Sequence, residues 1–344
     1  MSMDKAGNGK IVEIDGSAGE GGGQVLRTSL SLSCMQGIPA RICNIRAGRS
    51  NAGLARQHLA VVNALGKISN AKVKGAQLGS TCVEFEPGGI RGGEYEFDIG
   101  SAGAITLLAQ AILPVLCNAK EGSRIVLKGG THVKGAPFWD YFENVFLGCA
   151  AKFGVEAGGK LKRAGFYPKG GGEIELFVKP CKIRGADFLE QKGGKTKCRI
   201  YSCGLPAHVA QREKGAIENA LAGNAAIETE IIECKAACAG NAIAIWEGGL
   251  GACGLGEVGK KAENVAQEAA MYFLGEKRSK AAVDSHCADQ LLLYMAGANG
   301  KCSIRTPAVS NHLKTNMRVI EKFKAAKFSV KEEGGNFIVT SEVM

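Results

Sequence analysis

The tetrapeptide GSAG occurs twice in this 344-residue chain, at residues 16–19 and 100–103. Each time a strand-like segment runs into the glycines and an apolar-periodic run leaves them, as in FDIGSAGAITLLAQAILPVL. Two further segments follow the same logic more loosely, GGTHVKGAPFWDYFENVFLGCAAKFG from Gly129 and VSNHLKTNMRVIEKFKAAKF from Val309. A single strand–turn–helix step cannot bury its own apolar face, so its recurrence implies modules that stack on one another. Between them CVEFEPGGIRGGEYEFDI and GFYPKGGGEIELFVKP read as hairpins. The expected class is α/β (α+β), small sheets backed by helices. Forty-nine glycines, about twice the usual share, fall as GG and GGG between periodic segments and serve tight turns.

A chain of this length holds two domains, or one large domain with an insertion. From Gly185 to Ser279 the texture changes: KCRIYSCGLPAHVAQREKGAIENALAG reads as strand then helix, TEIIECKA and NAIAIWE as strands, KAENVAQEAAMYFLGEK as another helix. The expected division is residues 1–184 with 280–344 for the large domain and 185–279 for an α/β insert. A formal charge of +10, spread without any dominant run, favours polyanionic partners such as nucleic acid or nucleotide phosphates. No apolar stretch approaches the roughly 20 residues of a membrane span, so no membrane partner is expected. Thirteen cysteines, none in C-x-x-C spacing, and no secretory signal in MSMDKAGNGK point to a reducing, cytoplasmic setting. Cys198 with Cys203 and Cys234 with Cys238 lack histidines at ligand spacing, so they read as small buried hydrophobes and not as a zinc site.

Two nucleotide-motif look-alikes fail on context. GGKT at 193–196 lacks the first P-loop glycine, whose place falls on Leu189, and a strand follows it. GLGACG at 249–254 runs on into Gly256 and Gly259, so no helix opens behind it, and both segments read as turns. The stretch IDGSAGEGGGQVLRTSLSLS, from Ile14, is more informative. Glycines ahead of a helix let several N–H groups converge on an anion, helped by the helix dipole. Glu20 among them repels phosphate unless a cation lies between, which points to Mg²⁺ bridging carboxylate and phosphate oxygens; a solvated loop glutamate is the alternative.

Arg27 follows on that helix, and Arg46, Arg49 and Arg56 come in IRAGRSNAGLARQHLAVV, a set suited to clamping phosphate oxygens. Among five histidines, His312 in SNHLKTN stands at a loop-to-helix junction. There an imidazole can serve as nucleophile in phosphoryl or nucleotidyl transfer; an ordinary first-turn residue is the alternative. His58 sits in an apolar helix and reads as structural. Asp289, in DSHCADQLLLYMA, is placed to cap a helix or bind a ribose hydroxyl.

Together DGSAGEGGGQVLRTSLSLS, IRAGRSNAGLARQHL, GSAG with Gln110, KGGT, GFYPKGGGE, ADQLLLYMA and SNHLKTN resemble the RNA 3′-terminal phosphate cyclase family, in unbroken order from Ile11 to Phe328. The resemblance implies an ATP-dependent enzyme that turns an RNA 3′-phosphate end into a 2′,3′-cyclic phosphodiester. His312 matches the histidine that takes AMP from ATP with loss of pyrophosphate; AMP then passes to the RNA phosphate as RNA(3′)pp(5′)A, and the 2′-hydroxyl displaces it. Glu20 with Mg²⁺ or Mn²⁺, and Arg27, Arg46 and Arg49, match the groups that meet the developing charge. Gln57, His58, Gln110, Pro137 and the stretch His286, Cys287, Ala288, Asp289 and Gln290 match positions around ATP or the adenylate. His286 stands where the family often has a tyrosine. The resemblance further implies a large domain of four repeated units, each a small sheet with two helices and similar to the C-terminal domain of bacterial translation initiation factor three, with a smaller insert. Oligomeric state is left open, a homo-oligomer included. The rival reading is the catalytically silent cyclase-like protein of ribosome assembly, which lacks the nucleophilic histidine. A passive RNA-binding module has no aromatic stacking motif in its favour.

Overall fold

The computed structural model describes residues 11–223 and 226–344; the N-terminal decapeptide, and with it the expectation of no secretory signal there, lies outside them. The first unit runs β1 (Val12–Asp15), α1 (Gly23–Gln36), β2 (Ala40–Cys43), α2 (Arg56–Ile68), β3 (Lys72–Lys74) and β4 (Val83–Glu86). Its sheet has the order β1-β2-β4-β3, with β1 and β2 parallel and the other pairs antiparallel. The second unit repeats this plan with β5 (Gly93–Asp98), α3 (Ile105–Leu116) and β6 (Ser123–Gly129). Next comes a broken helix, α4 (Trp139–Tyr141) passing through a π turn (Phe142–Phe146) into α5 (Leu147–Ala150), and then β7 (Glu156–Arg163) and β8 (Gly172–Lys179). The order β5-β6-β8-β7, again with the first pair parallel, matches the first sheet.

The third unit opens with β9 (Asp187–Phe188) and breaks off at once. An insert follows: β10 (Thr196–Cys203), α6 (Ala207–Leu221), β11 (Ile227–Cys234), β12 (Gly240–Glu247), β13 (Leu250–Leu255) and α7 (Ala262–Arg278). The unit then resumes with α8 (Ser285–Gly297), β14 (Cys302–Thr306), α9 (Asn311–Lys322), β15 (Ala326–Glu333) and β16 (Asn336–Val343). Its sheet, β9-β14-β16-β15 with β9 parallel to β14, has the same βαβαββ plan. The insert sheet, β11-β10-β12-β13, does not.

Several sequence expectations are corrected here. Among the described residues the large body holds three repeated units, not four. Each unit contains two strand–turn–helix steps, so the segments from Gly100 and Gly129 belong to one sheet, and counting steps overcounts sheets. VEFE and EYEFD are not a hairpin: β4 and β5 lie in different sheets. Asp187–Phe188 pairs with β14, so the third sheet takes a strand from inside the expected insert range. GLGACG is not a turn; residues 250–255 form the edge strand β13. Nor are all the cysteines free. Cys43–Cys82 and Cys203–Cys234 are joined as disulfides, the second across directly opposed residues of β10 and β11.

The helices of the three units share one core. Helix α1 packs against α2, α3 and α9, and α9 against α8. Small residues let α1 sink into this bundle: Ser29, Ser31 and Ser33 are fully buried, and the Ser31 hydroxyl donates to the carbonyls of Arg27 and, across the interface, Ala111. The insert has a core of its own and still docks on the second unit, because β12 alternates. Ile243 and Ile245 face α6 and α7, while Ala242, Ala244 and Trp246 face the large body. Asp140 anchors that face, buried and bound by Arg199 Nη1 at 2.6 Å and by the Tyr201 hydroxyl at 3.3 Å. No helix among the described residues is long and apolar enough to cross a membrane.

Candidate active site

The packing of α1, α8 and α9 brings their first turns together. Helix α1 begins after Gly22, which has no side chain to cap it, so its first N–H groups are offered to whatever binds there. Helices α2 and α3 start after Ala55 and Ala104, also without a side-chain cap, whereas Asp284 and Ser310 cap α8 and α9. Two glycines of the opening loop are required by space. A Cβ on Gly19, at φ +65°, would lie 2.1 Å from Thr315 Oγ1 on α9, and one on Gly23 would lie 2.1 Å from His58 Nε2.

His312 is the second residue of α9. Its Nδ1 meets Gln24 Oε1 at 2.5 Å and its Nε2 meets Glu20 Oε2 at 2.8 Å. The Gln24 amide nitrogen donates to Asp289 Oδ1 at 3.3 Å, which fixes the amide with its oxygen toward the imidazole. Asp289 thus reaches His312 through Gln24. It does not cap its helix: that role falls to Asp284, whose carboxylate accepts the N–H groups of His286 and Cys287, the Tyr141 hydroxyl and the N–H of Gly251 on β13. Burial raises Asp289 to about 8 against the pull of Arg27, and burial lowers Arg27 to about 10. Asn316 completes the frame, donating to the Asp289 carbonyl at 3.2 Å and accepting from the Thr28 hydroxyl at 2.6 Å.

A cavity of about 640 Å³ opens on one side of His312, walled by α1, α3, α8 and the insert's β13 and α7. That volume suits a nucleotide-sized ligand. Arg27, Gln110, Pro137, His286, Asp289, Gln290 and His312 all line it. Gln110 donates to Gln290 Oε1 at 2.8 Å, and the Pro137 carbonyl accepts the Thr106 hydroxyl at 2.7 Å. The His286 ring is stacked with Tyr272 of the insert, centroids 5.7 Å apart, and burial lowers its pKa. Cys287 and Ala288, by contrast, are fully buried and are not in the cavity wall.

The remaining sequence-selected residues do not line the cavity. Arg49 is exposed near the start of α1, its Nη2 3.5 Å from where a Cβ on Gly22 would stand. Arg46, at φ +55°, folds back to donate to the Gly53 carbonyl at 2.9 Å, and partial burial together with Arg49 lowers its pKa. Gln57 accepts the N–H of Ala104 from the second GSAG turn at 3.3 Å. His58 is buried beneath Gly23; burial first, then Arg27 and Arg46, push its pKa down to about 3, so the ring is neutral. Gln57 and His58 are thus placed outside the cavity. Among the described residues no group of three or more His, Cys, Asp and Glu side chains forms a metal cage. Glu20 alone is a donor set that fits Mg²⁺, which commonly takes one or two carboxylates plus substrate phosphates and water.

Sequence reasoning passed over Gln24, Asn316, Asp284 and Tyr272. Gln24 is three residues before Arg27, hence on the same helix face, and Asp284 directly precedes an apolar helix, a capping signal. Nothing in the sequence marks Tyr272.

The profile of the family described as RNA 3′-terminal phosphate cyclase matches residues 18–330. The chain belongs to that family. Among curated members, the RNA 3′-terminal phosphate cyclase of Archaeoglobus fulgidus is 42% identical, over 96% of this chain and 100% of its own. That of Methanosarcina barkeri is 42% identical over 96% and 99%, and that of Pyrococcus furiosus 42% over 93% and 95%. Among solved structures, the enolpyruvyl transferase NikO from Streptomyces tendae overlays with a TM-score of 0.39 at 11% identity, covering 97% of this chain and 49% of that one, a likeness too low to carry a conclusion. The segment that matches the cyclase profile contains Glu20, Arg27, Asp289 and His312, and with them the whole frame around the imidazole.

Proposed function

We propose that this protein is an ATP-dependent RNA 3′-terminal phosphate cyclase with His312 as its nucleophile. The observation that carries this reading is that His312 lines a nucleotide-sized cavity while its Nε2 meets Glu20 of the glycine loop that leads into the uncapped start of α1. ATP occupies the cavity, its base and ribose toward Gln110, Pro137, His286, Asp289 and Gln290. The RNA 3′-phosphate approaches from the loops. Nδ1 is held on Gln24, so Nε2 is the attacking atom once Glu20 moves off it. Nε2 forms a bond to the α-phosphorus of ATP as the bond to pyrophosphate breaks. A terminal RNA phosphate oxygen then takes AMP from the imidazole, and the 2′-oxygen displaces AMP to close the cyclic phosphodiester. That last step is intramolecular, and effective molarities of ~10⁵–10⁸ M mean that it needs little beyond alignment.

Arg27, Arg46 and Arg49 take up negative charge on the phosphates, for which guanidinium is suited. Glu20 would hold a divalent ion, Mg²⁺ or Mn²⁺, which supplies positive charge to the phosphate oxygens when bound. Gln57 and His58 act from the second rank, Gln57 by holding the second GSAG turn and His58 as a spacer under α1; Cys287 and Ala288 set the seating of α8. We also propose a cytoplasmic location, the division into a large domain and an insert ending near residue 279, and a kinship of the βαβαββ unit with the C-terminal domain of bacterial translation initiation factor three.

The test is incubation with ATP labelled at the α-phosphate and Mg²⁺. The unaltered protein should take up label that acid releases and alkali does not, and His312→Ala should take up none. Label on the His312→Ala protein, or acid-stable label on the unaltered one, contradicts a phosphoramidate at His312. Absence of any label would favour the rival, a cyclase-like binding component.

A further inference from the structure

GFYPKGGGE is one of the motifs that mark the family, yet nothing in the chemistry above uses it. It forms the connection between β7 and β8. Phe166 is buried and stacked on His132, with centroids 5.4 Å apart, while its neighbour Tyr167 is 76% exposed. Neither Tyr167 nor Lys169 has a side-chain partner among the described residues. A tyrosine left in water is unremarkable on a loose loop, but this loop is pinned on two sides. Gly170 donates to the Phe166 carbonyl at 2.7 Å and packs so closely on the second GSAG turn that a Cβ would lie 2.8 Å from the Ser101 carbonyl oxygen. From the insert, Cys238 Sγ bonds the carbonyls of Phe166 and Tyr167 at 3.5 and 3.6 Å, and Ala237 abuts Gly171.

The second GSAG turn links this ring to the reactive centre. Arg56 lies against Gly100, its Nη1 3.6 Å from a Cβ built there, and Gln57 binds Ala104. Next in helix α2, His58 touches Gly23 at the start of α1, and Gln24 follows with its hold on His312. Arg49, Arg56 and Lys169 are without an ion pair among the described residues. The route therefore runs from His312 past unpaired cations to an exposed aromatic ring, and none of Arg49, Arg56, Tyr167 and Lys169 lines the cavity. Cations that track a backbone and an aromatic ring that takes an unpaired base are the two parts of a single-strand binding surface.

We propose that Tyr167 is the platform on which a base upstream of the RNA 3′-phosphate stacks, with Arg56 and Lys169 on the intervening phosphates. The occupant is single-stranded RNA, and the assignment rests on the cyclase reading for the place of the RNA end. Cyclisation by the full chain should be measured with a 3′-phosphorylated decanucleotide and with a 3′-phosphorylated dinucleotide. Tyr167→Ala should raise KM for the decanucleotide about tenfold, the size of one lost base stack. It should leave kcat, the dinucleotide KM and RNA-free adenylylation unchanged, and Tyr167→Phe should match the unaltered protein. An unchanged decanucleotide KM, an equal loss on both substrates, slower adenylylation, or a Tyr167→Phe protein as impaired as Tyr167→Ala each overturns the platform. The affinity of each protein for the decanucleotide without ATP, by fluorescence anisotropy, separates the two ideas. If the unaltered protein takes no label from ATP, the cyclase reading fails, while equal RNA affinity of the unaltered and Tyr167→Ala proteins rejects the platform. Equal affinity for a blunt RNA duplex rejects it too.

Discussion

Gly23→Ala isolates the steric demand at the start of α1. The new Cβ would stand 2.1 Å from His58 Nε2 and 2.5 Å from its Cδ2, where ordinary contact begins at 3.4 Å, so the two groups must separate by 3.4 − 2.1 = 1.3 Å. The imidazole has little room to retreat, being 4% exposed with Arg27 beside it. Alanine gains about 1 kcal/mol in helix propensity over glycine, against about 1–3 kcal/mol for overpacking, so stability changes little or falls by about 2 kcal/mol. Chemistry is hit harder. The next residue, Gln24, holds His312, and displacing a positioning group by about 1 Å costs roughly 10²-fold in rate. Single-turnover transfer of α-labelled phosphate from ATP should therefore slow about 100-fold in Gly23→Ala. Gly22→Ala is the control: its Cβ meets only the flexible end of Arg49 at 3.5 Å, and its rate should stay within a few fold. Adding His58→Ala to Gly23→Ala removes the obstacle and should restore most of the lost rate. The reasoning is refuted if Gly23→Ala and Gly22→Ala behave alike, or if the double variant is no faster than Gly23→Ala.

His58 also predicts a pH dependence. Its folded pKa of about 3 lies below the ordinary 6.5, so between those values the unfolded chain binds the extra proton. Stability is full above pH 6.5 and falls as the pH drops toward 3, by at most about 1.4 kcal/mol per unit from this one group. His58→Gln should flatten the acid limb of a thermal-melt profile, and an unchanged limb would show the ring to be accessible to protons. At Asp284, alanine would leave the Tyr141 hydroxyl and the Gly251 N–H without their acceptor and uncap α8. Two stranded buried donors at about 1–3 kcal/mol each and a cap near 1 kcal/mol sum to about 3–7 kcal/mol. A fall in Tm of less than about 2 °C would mean that this carboxylate does not join the insert to α8.

What the sequence made legible follows from how local each signal is. Helices α1, α3, α7 and α9 stand where apolar periodicity places them, because that pattern needs only the segment itself. Sheet membership is not local. β4 and β5 are separated by a short glycine-rich stretch, as hairpin strands would be, yet each pairs within its own unit. β9 is two residues long and finds its partner across the insert. β13 looks like a turn because its glycines serve packing: a Cβ on Gly251 would lie 2.6 Å from the Tyr141 ring, and one on Gly254 3.1 Å from Ala269. In the site, groups with distinctive chemistry stand out in any listing of residues, so His312, Arg27 and Glu20 could be picked from the chain. Gln24 carries only the weaker signal of sharing Arg27's helix face, since an amide in an apolar helix looks like filler until the partner 288 residues away is known.

A nucleophile that serves two substrates in turn must stay still while its surroundings change. On the cyclase reading, the two ring nitrogens of His312 divide that work. Nδ1 is tied through Gln24 to Asp289, and Asp289 sits on a helix whose first turn Asp284 binds to the insert's edge strand and to Tyr141. All these anchors lie toward the ATP cavity and the insert. Nε2 instead meets one half-buried carboxylate on a glycine loop, the most easily moved partner in the site. On the cyclase reading, Nε2 passes from Glu20 to phosphorus and back, while the ring itself is held from the far side. On that reading the insert has a mechanical reason to interrupt the third unit between β9 and α8: from that point its edge strand reaches the Asp284 cap of the helix that carries Asp289.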